Sequence, residues 1–371
     1  MKKPVQSLDL RKLKVLPLRE RKSLTQVGDL LVTPESAPPA CPNKRLAAQI
    51  KQCAADIQAA RKRGAAIILI YGAHLLRNGA ALILERLMDE GCLTHLATNG
   101  ASTIHDWEYA GFGTSTENVE LNVAGGTFGT WQETATNIHL ALMAGALKGL
   151  GYGRSLGRFI MEDGATLPET EELARTISDD PTHPLTAARA DLLRTMKAQK
   201  WTAGRINFEH RWKHASIAGQ AYRHNVPMTV HPGIGYDIIS NHPVFNGAVI
   251  GRAGEWDFKL FGGAVDQLDG GVVLSIGSAI MGPQVFEKSV SCVNNLRLQA
   301  GKKPVHDHSI YVVDLQDGGN WDWTKGEPPK DNPAYYLRFC KSYSRMGGTM
   351  HYACCDNLAF VHNLFHELSR P

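Results

Sequence analysis

Three histidines stand at or just beyond the ends of short apolar runs. His74 lies in Gly72-Ala-His-Leu-Leu-Arg-Asn-Gly79, which follows AAIILIY, and His105 lies in Thr98-Asn-Gly-Ala-Ser-Thr-Ile-His-Asp106, which follows THLA. His231 closes Val226–His231 (VPMTVH), ahead of Pro232-Gly233-Ile234-Gly235. Imidazole titrates near neutral pH, so histidines converging on one rim can supply a general base, a ligand contact or a metal ligand. Ligand spacing for a metal is absent: no H-E-x-x-H occurs, and the first H-x-H, His306-Asp307-His308, precedes a predicted strand, at the opposite end of the sheet.

Other residue types at strand ends suggest nucleotide or amine chemistry. Gly277-Ser278-Ala-Ile-Met-Gly282 follows the run GVVLSI and opens a helix-like segment. Its backbone N–H groups could meet a pyrophosphate, or it is a plain turn that needs glycine. Asp314 ends IYVVD, where a carboxylate can hold a ribose or an amine, or cap a turn. Lys341 lies in AYYLRFCKSYSRM. Apolar surroundings would lower its pKa and make it a Schiff-base nucleophile; a helical lysine that reaches water is the alternative. Neither G-x-G-x-x-G nor G-x-x-x-x-G-K-[ST] is present.

The elements that must position these residues alternate. Asn43–Arg63 reads as a helix with Leu46, Ile50, Cys53, Ile57 and Ala60 on one face. Strands are predicted at 65–71, 94–97, 226–231, 271–276, 310–315 and 349–354, with helices at 80–90, 133–148, 211–224, 283–298, 332–346 and 357–368. Asn332-Pro333 reads as N-cap and N1, and Asp356 as the cap of the last helix. Residues 114–131 read as a loop, and 162–200 as a peripheral helical insertion broken by Pro168, Pro181 and Pro184. The pattern predicts an α/β fold: a single doubly wound, Rossmann-like, mostly parallel sheet of roughly six strands, with ligands at the strand C-termini. Residues 1–42 read as a basic, Pro-containing extension that adds little core, and 43–371 as a single α/β domain.

Bulk properties narrow the class. With 371 residues, 43% hydrophobic and 20% charged, the chain is globular. A net charge of +4 is too small to argue for nucleic acid or an anionic membrane. Much of the basic excess sits in 1–22, read as a solvated arm or one that packs on a neighbouring subunit. Seven cysteines without C-x-x-C argue against a zinc or disulfide framework. No apolar run reaches membrane length and the basic N-terminus lacks an apolar signal core, so a reducing, cytoplasmic compartment is expected.

Taken in order, these segments resemble the deoxyhypusine synthase family and the related homospermidine synthases. The resemblance spans about residues 45–368. It rests on Gly72–Asp89, Thr98–Asp106, His231–Asp237 (HPGIGYD), Ser275–Ser278, the acidic loop Asp314–Trp323, and Pro333 standing eight residues before Lys341. The resemblance implies NAD as bound cofactor and transfer of an aminobutyl-type group from a polyamine, through an imine on Lys341, to an acceptor amine or a protein lysine. It implies cofactor contacts from Ala73, His74, Thr98, Asn99, Gly100, Gly277, Ser278, Asp314 and Asp356. Substrate contacts fall to Asp237, Asp322, Tyr335 and Phe339, and a homotetramer is implied with sites shared across a dimer interface. The low charge of Tyr335–Phe339 fits a helix facing that neighbour.

The chain also departs from the family pattern. Ile276–Pro283 contains no histidine base, Tyr335 stands where a glutamate is expected, Phe339 replaces a tryptophan, and His105 replaces a glutamate. His105 or His231 is then the expected base, and a less acidic pocket is expected to hold a polycation less well. Two alternatives stay open: a metal-dependent hydrolase or lyase using the histidines, and a non-catalytic nucleotide-binding protein.

Overall fold

The computed structural model describes residues 5–318 and 320–370. Lys2 and Lys3 of the basic arm, and Gly319 of the acidic loop, lie outside the described residues. Six strands form the central sheet: β1 Ile67–Tyr71, β2 His95–Asn99, β3 Met228–His231, β4 Val272–Ile276, β5 Ser309–Asp314 and β6 Thr349–Cys354. Their spatial order is β3-β2-β1-β4-β5-β6 and every pairing is parallel. This is the doubly wound architecture expected from the sequence. The order reverses between β1 and β4, where Tyr71 stands level with Ile276 on one side and Thr98 on the other. That reversal opens a crevice at the carboxyl ends of the strands.

The strands read as continuous apolar runs because both faces are covered. Ile67, Leu69, Tyr71, Leu274, Tyr311 and Val313 pack under helices Lys44–Arg63, Ala81–Asp89 and Asn357–Leu368. Ile68, Ile70, Val273, Ile310 and Val312 pack on the opposite face under Gly247–Asp266, Met281–Gln299 and Arg338–Ser344. Helix Lys44–Arg63 is set locally. Asn43 accepts from Leu46 N–H, Gly64 closes the other end in the left-handed region, and Arg61, Lys62 and Arg63 complement the dipole. All five residues assigned to its inner face are buried.

The structure corrects several expectations. Thr98–Asp106 is not a turn: Asn99 caps a helix, Gly100–Phe112, by accepting from Ser102 N–H. The helix expected over 332–346 is split. Pro333–Tyr336 is a 3-10 turn, Leu337 leaves helical geometry, and a separate helix starts at Arg338. The helix expected over 211–224 is reduced to Ile217–Arg223. Gly247–Asp266, 20 residues long, had no sequence signal drawn from it. Phe339 is buried inside its own chain against Tyr352, whereas Tyr336 faces outward.

The N-terminal extension contributes to the core. Leu16 bridges to Trp131, Thr25–Gln26 pairs with Thr114–Ser115, and Leu18 and Val27 are buried. Arg21 enters the interior and meets Glu108 through two hydrogen bonds of 2.7 and 2.8 Å, with both side chains at most 2% exposed. Removing one member of such a pair leaves a desolvated charge. Arg21→Met is expected to lose about 3–5 kcal/mol in urea unfolding. The double replacement Arg21→Met/Glu108→Leu should recover most of that loss, and equal losses in single and double variants would argue against the pair.

Among the described residues no helix is long and apolar enough to cross a membrane.

Candidate functional site

The crevice between β1 and β4 is lined by backbone. The N–H of Gly72 donates to Ile276 O at 3.2 Å. A Cβ on Gly72 would fall 2.1 Å from the carbonyl oxygen of Gly277, so no side chain fits there. Gly277 itself has φ +61°, and a Cβ on it would meet the Asn357 amide at 2.3 Å. Asn357 is buried and its Oδ1 has no partner. An unpartnered buried amide oxygen is costly unless something donates to it. The two turns thus pack closely on each other and on Asn357 at the strand-order reversal, beside an acceptor awaiting a donor, and that position fits a dinucleotide. Gly72, Ala73, Gly277, Ser278 and Asn357 would hold it.

Other residues singled out in the sequence have local duties. Thr98 Oγ1 donates to Tyr71 O at 2.8 Å and ties β2 to β1. Ser278 Oγ accepts from Gly282 N–H at 3.1 Å, opening helix Met281–Gln299. Asp314 accepts from Gln316 N–H, and Asp356 caps the last helix by accepting from Ala359 N–H. Asp322 caps the short turn Trp323–Lys325 and is half exposed. His74 is exposed one turn beyond Gly72.

Asp237 sits against the start of the β2 helix. Its Oδ2 accepts from Gly233 N–H at 2.7 Å and would lie 2.0 Å from a Cβ at position 100, so glycine is required there. Its Oδ1 is buried without a partner. Burial pushes this carboxyl up to about 6, against the Gly233 hydrogen bond. An arriving ammonium would complete the shell and favour the ionised form.

Five residues along the same helix, His105 enters a polar relay that the sequence did not reveal. Ser115 Oγ donates to Glu108 Oε2 at 2.5 Å and therefore accepts from His105 Nδ1–H at 2.7 Å. Glu108 also accepts from Arg21 and from Thr134 Oγ1. The relay fixes the tautomer: Nδ1 carries the proton and Nε2 keeps its lone pair, with no hydrogen bond to any described residue. Burial lowers the His105 pKa to about 4, so the ring is neutral at pH 7. The missed signal was the His105/Glu108 spacing, which is i,i+3 on a helix but meaningless in a turn.

His231 is placed differently. It is buried against Phe261 of helix Gly247–Asp266 and shares the Thr229 hydroxyl with His95. The structure does not bring it to His105. Among the described residues, no group of three or more His, Cys, Asp or Glu is arranged to hold a metal ion.

Lys341 lies on the β5–β6 side of the rim. Its Nζ is 3.1 Å from Glu327 Oε1 and 3.3 Å from the ring centroid of Tyr335. Burial works to lower its pKa, but the Tyr335 and Glu327 contacts outweigh burial and hold it above the ordinary lysine value. The expected lowering by Phe339 and Cys340 is thus reversed, because both of those side chains turn into the core. Glu327 also meets Arg345.

No protein-family model matches the chain, and no curated protein matches it. Among solved structures, the ternary complex of AgrE with ornithine and NAD+ is 13% identical over 89% of this chain and 34% of that chain, with a TM-score of 0.42. A provisionally assigned, conserved LOR/SDH protein from Methanococcus maripaludis S2 is 14% identical over 91% of this chain and 73% of that one, TM-score 0.42. A provisionally assigned deoxyhypusine synthase from Entamoeba histolytica is 9% identical over 74% of this chain and 81% of that one, TM-score 0.33. The chain spans about a third of the AgrE chain it matches. No residue role is carried across at these identities.

Proposed function

We propose that this chain is an NAD-using enzyme acting on an amine, in the manner of a deoxyhypusine synthase-like transferase that moves an alkylamine group to an acceptor amine. The observation that carries the reading is the crevice at the strand-order reversal, where Gly72 and Gly277 leave room for no side chain and Asn357 presents an unpartnered oxygen. When bound there, NAD would accept a hydride from the carbon beside an amine nitrogen and return it to the product.

The chain's own residues supply the rest. Asp237 holds an ammonium through its open Oδ1, and His105 Nε2 takes a proton. Lys341, once its proton is lost to solvent, attacks the imine carbon of the oxidised donor and expels the donor's amine fragment. The acceptor amine then displaces Lys341. Asp237 follows β3 and Lys341 follows β5, with β2, β1 and β4 lying between those strands. That separation favours an extended amine or a symmetric homotetramer in which one copy's Lys341 serves another's rim. A second reading, dinucleotide binding without transfer, is favoured by the ion-paired state of Lys341.

Calorimetric titration with NAD tests the cofactor. Saturable binding is expected, weakened tenfold or more in Asp314→Ala, which removes the carboxylate at the end of β5. Absence of heat and of any thermal shift in the wild-type protein would remove the cofactor and both readings with it. Light scattering that shows a monomer at micromolar concentration would remove the shared site.

A further inference from the structure

The rim contains a cation with no counter-ion. Arg77, one turn beyond Gly72, is half-buried; its Nε has no hydrogen-bond partner and its guanidinium forms no ion pair with any described residue. The other inward-facing arginines are all matched. Arg21 meets Glu108, and Arg297 meets Asp266 and Asp269. Helix Ala73–Arg77, which carries His74 and Arg77, packs on helix Gly100–Phe112, which carries His105 and Tyr109. The carboxylate on that helix that joins the His105 relay, Glu108, already accepts from Arg21, Ser115 and Thr134. A guanidinium stays protonated in proteins, and with a buried, unbonded Nε it offers a fork that matches an anionic oxygen pair.

Against the start of helix Gly100–Phe112, Asp237 shows the opposite deficit, a buried carboxylate oxygen with no donor. Gly100 and His105 are five residues apart, which is roughly 7–8 Å along a helix. We infer that the amine substrate carries a carboxylate: Asp237 takes its ammonium and Arg77 takes its carboxylate, so the site selects an ω-amino acid over a diamine or polyamine. This rests on the reading of the rim as an amine site and narrows its substrate class. It also gives a reason for the basic and neutral groups, His74, Arg77 and His105, at a rim where a polycation would need acids. The bound anion has one other source, the phosphates of the dinucleotide.

The test is calorimetry on the full chain, with and without saturating NAD, using 5-aminopentanoate and 6-aminohexanoate against 1,4-diaminobutane and 1,5-diaminopentane. The amino acids are expected to bind at least tenfold more tightly. Arg77→Gln should weaken them ten- to a hundredfold, the range of a charge-assisted hydrogen bond, and bring the two classes level. NAD affinity should stay within threefold. Arg77→Lys keeps the charge without the fork and should lose three- to tenfold, so it carries the test if the glutamine variant does not fold. Tighter binding of the diamines, or binding of neither class, overturns the inference. So does an Arg77→Gln variant that loses NAD affinity while the preference persists, which assigns the anion to the cofactor. Amino acids that bind a wild-type protein unable to bind NAD would instead overturn the cofactor and leave the Arg77 assignment standing.

Discussion

Acidification from pH 7 to pH 4 is expected to unfold this protein completely. Burial lowers the pKa of His95 to about 3 and of His105, His139, His210, His231, His242 and His308 to about 4. Above pH 6.5 these seven are neutral in both states and contribute no pH dependence. Below it the unfolded chain takes up protons that the folded chain refuses, so stability falls as pH drops from 6.5 towards 4. Three buried carboxylates oppose this. Burial raises Asp106 and Asp257 to about 7 and Asp237 to about 6, so the folded state keeps protons that the unfolded state releases. These groups stabilise as pH falls from 7 towards 3.8.

Near pH 5 the balance is roughly seven protons against three, a slope of about 5 kcal/mol per pH unit. From pH 6.5 to pH 4 the loss sums to about 12 kcal/mol, enough to exhaust a typical native stability. Far-UV circular dichroism against pH should show a cooperative transition with its midpoint between pH 4 and 5.5. His308, both of whose ring nitrogens are buried without partners, is a specific lever. In His308→Phe the transition should become shallower and move to lower pH. A protein that stays folded at pH 4 contradicts the account.

Lys341→Arg is expected to abolish covalent capture of the substrate. With an amine donor and NAD, borohydride should fix the donor fragment on the wild-type protein, and peptide mapping should place it on Lys341. Arginine keeps the charge over Tyr335 and beside Glu327 but cannot form an imine, so the mass label should vanish and turnover should fall by about a thousandfold or more. The contacts that hold Lys341 protonated add a pH signature: capture should speed up as pH rises from 7 to 9. Glu327→Gln removes one of those contacts and should raise capture at pH 7 while leaving Lys341 as the labelled residue. Label on another lysine, or turnover that survives Lys341→Arg, removes the covalent route and leaves dinucleotide binding.

The sheet was readable because its signal is local. IILIY, VVLSI and SIYVVD are apolar at consecutive positions, which a strand covered on both faces requires. The site was readable only where the backbone itself forms it, at Gly72 and Gly277. What joins distant segments was not. Arg21 and Glu108 are 87 positions apart, and nothing around Arg21 marks it as inward-facing within a basic stretch. Lys341 shows the same limit in another form. Its sequence neighbours Phe339 and Cys340 suggested an apolar setting, but a helix turns successive residues about 100° apart. The groups that decide its proton affinity, Glu327 and Tyr335, come from the preceding loop and turn. Helix Gly247–Asp266 went unread because its inner face, Val249, Ile250, Ala253, Phe261 and Val265, is interrupted by glycines and by a buried aspartate. Asp257 accepts from Gly153 N–H and Val230 N–H.

The reversal of strand order makes the crevice a seam. β1, β2 and β3 come from the first part of the chain and β4, β5 and β6 from the last, so Gly72 and Gly277 belong to two consecutive halves whose strands pair only along β1–β4. During synthesis β1 must wait for about two hundred further residues before it gains its second neighbour, β4. Until then β1 is an open edge and the pocket has one wall. Chain assembly and pocket assembly are therefore one event. A molecule that occupies the seam holds the halves together, and a pair of fragments divided in the segment between β3 and helix Gly247–Asp266 would reveal ligand binding as reassociation.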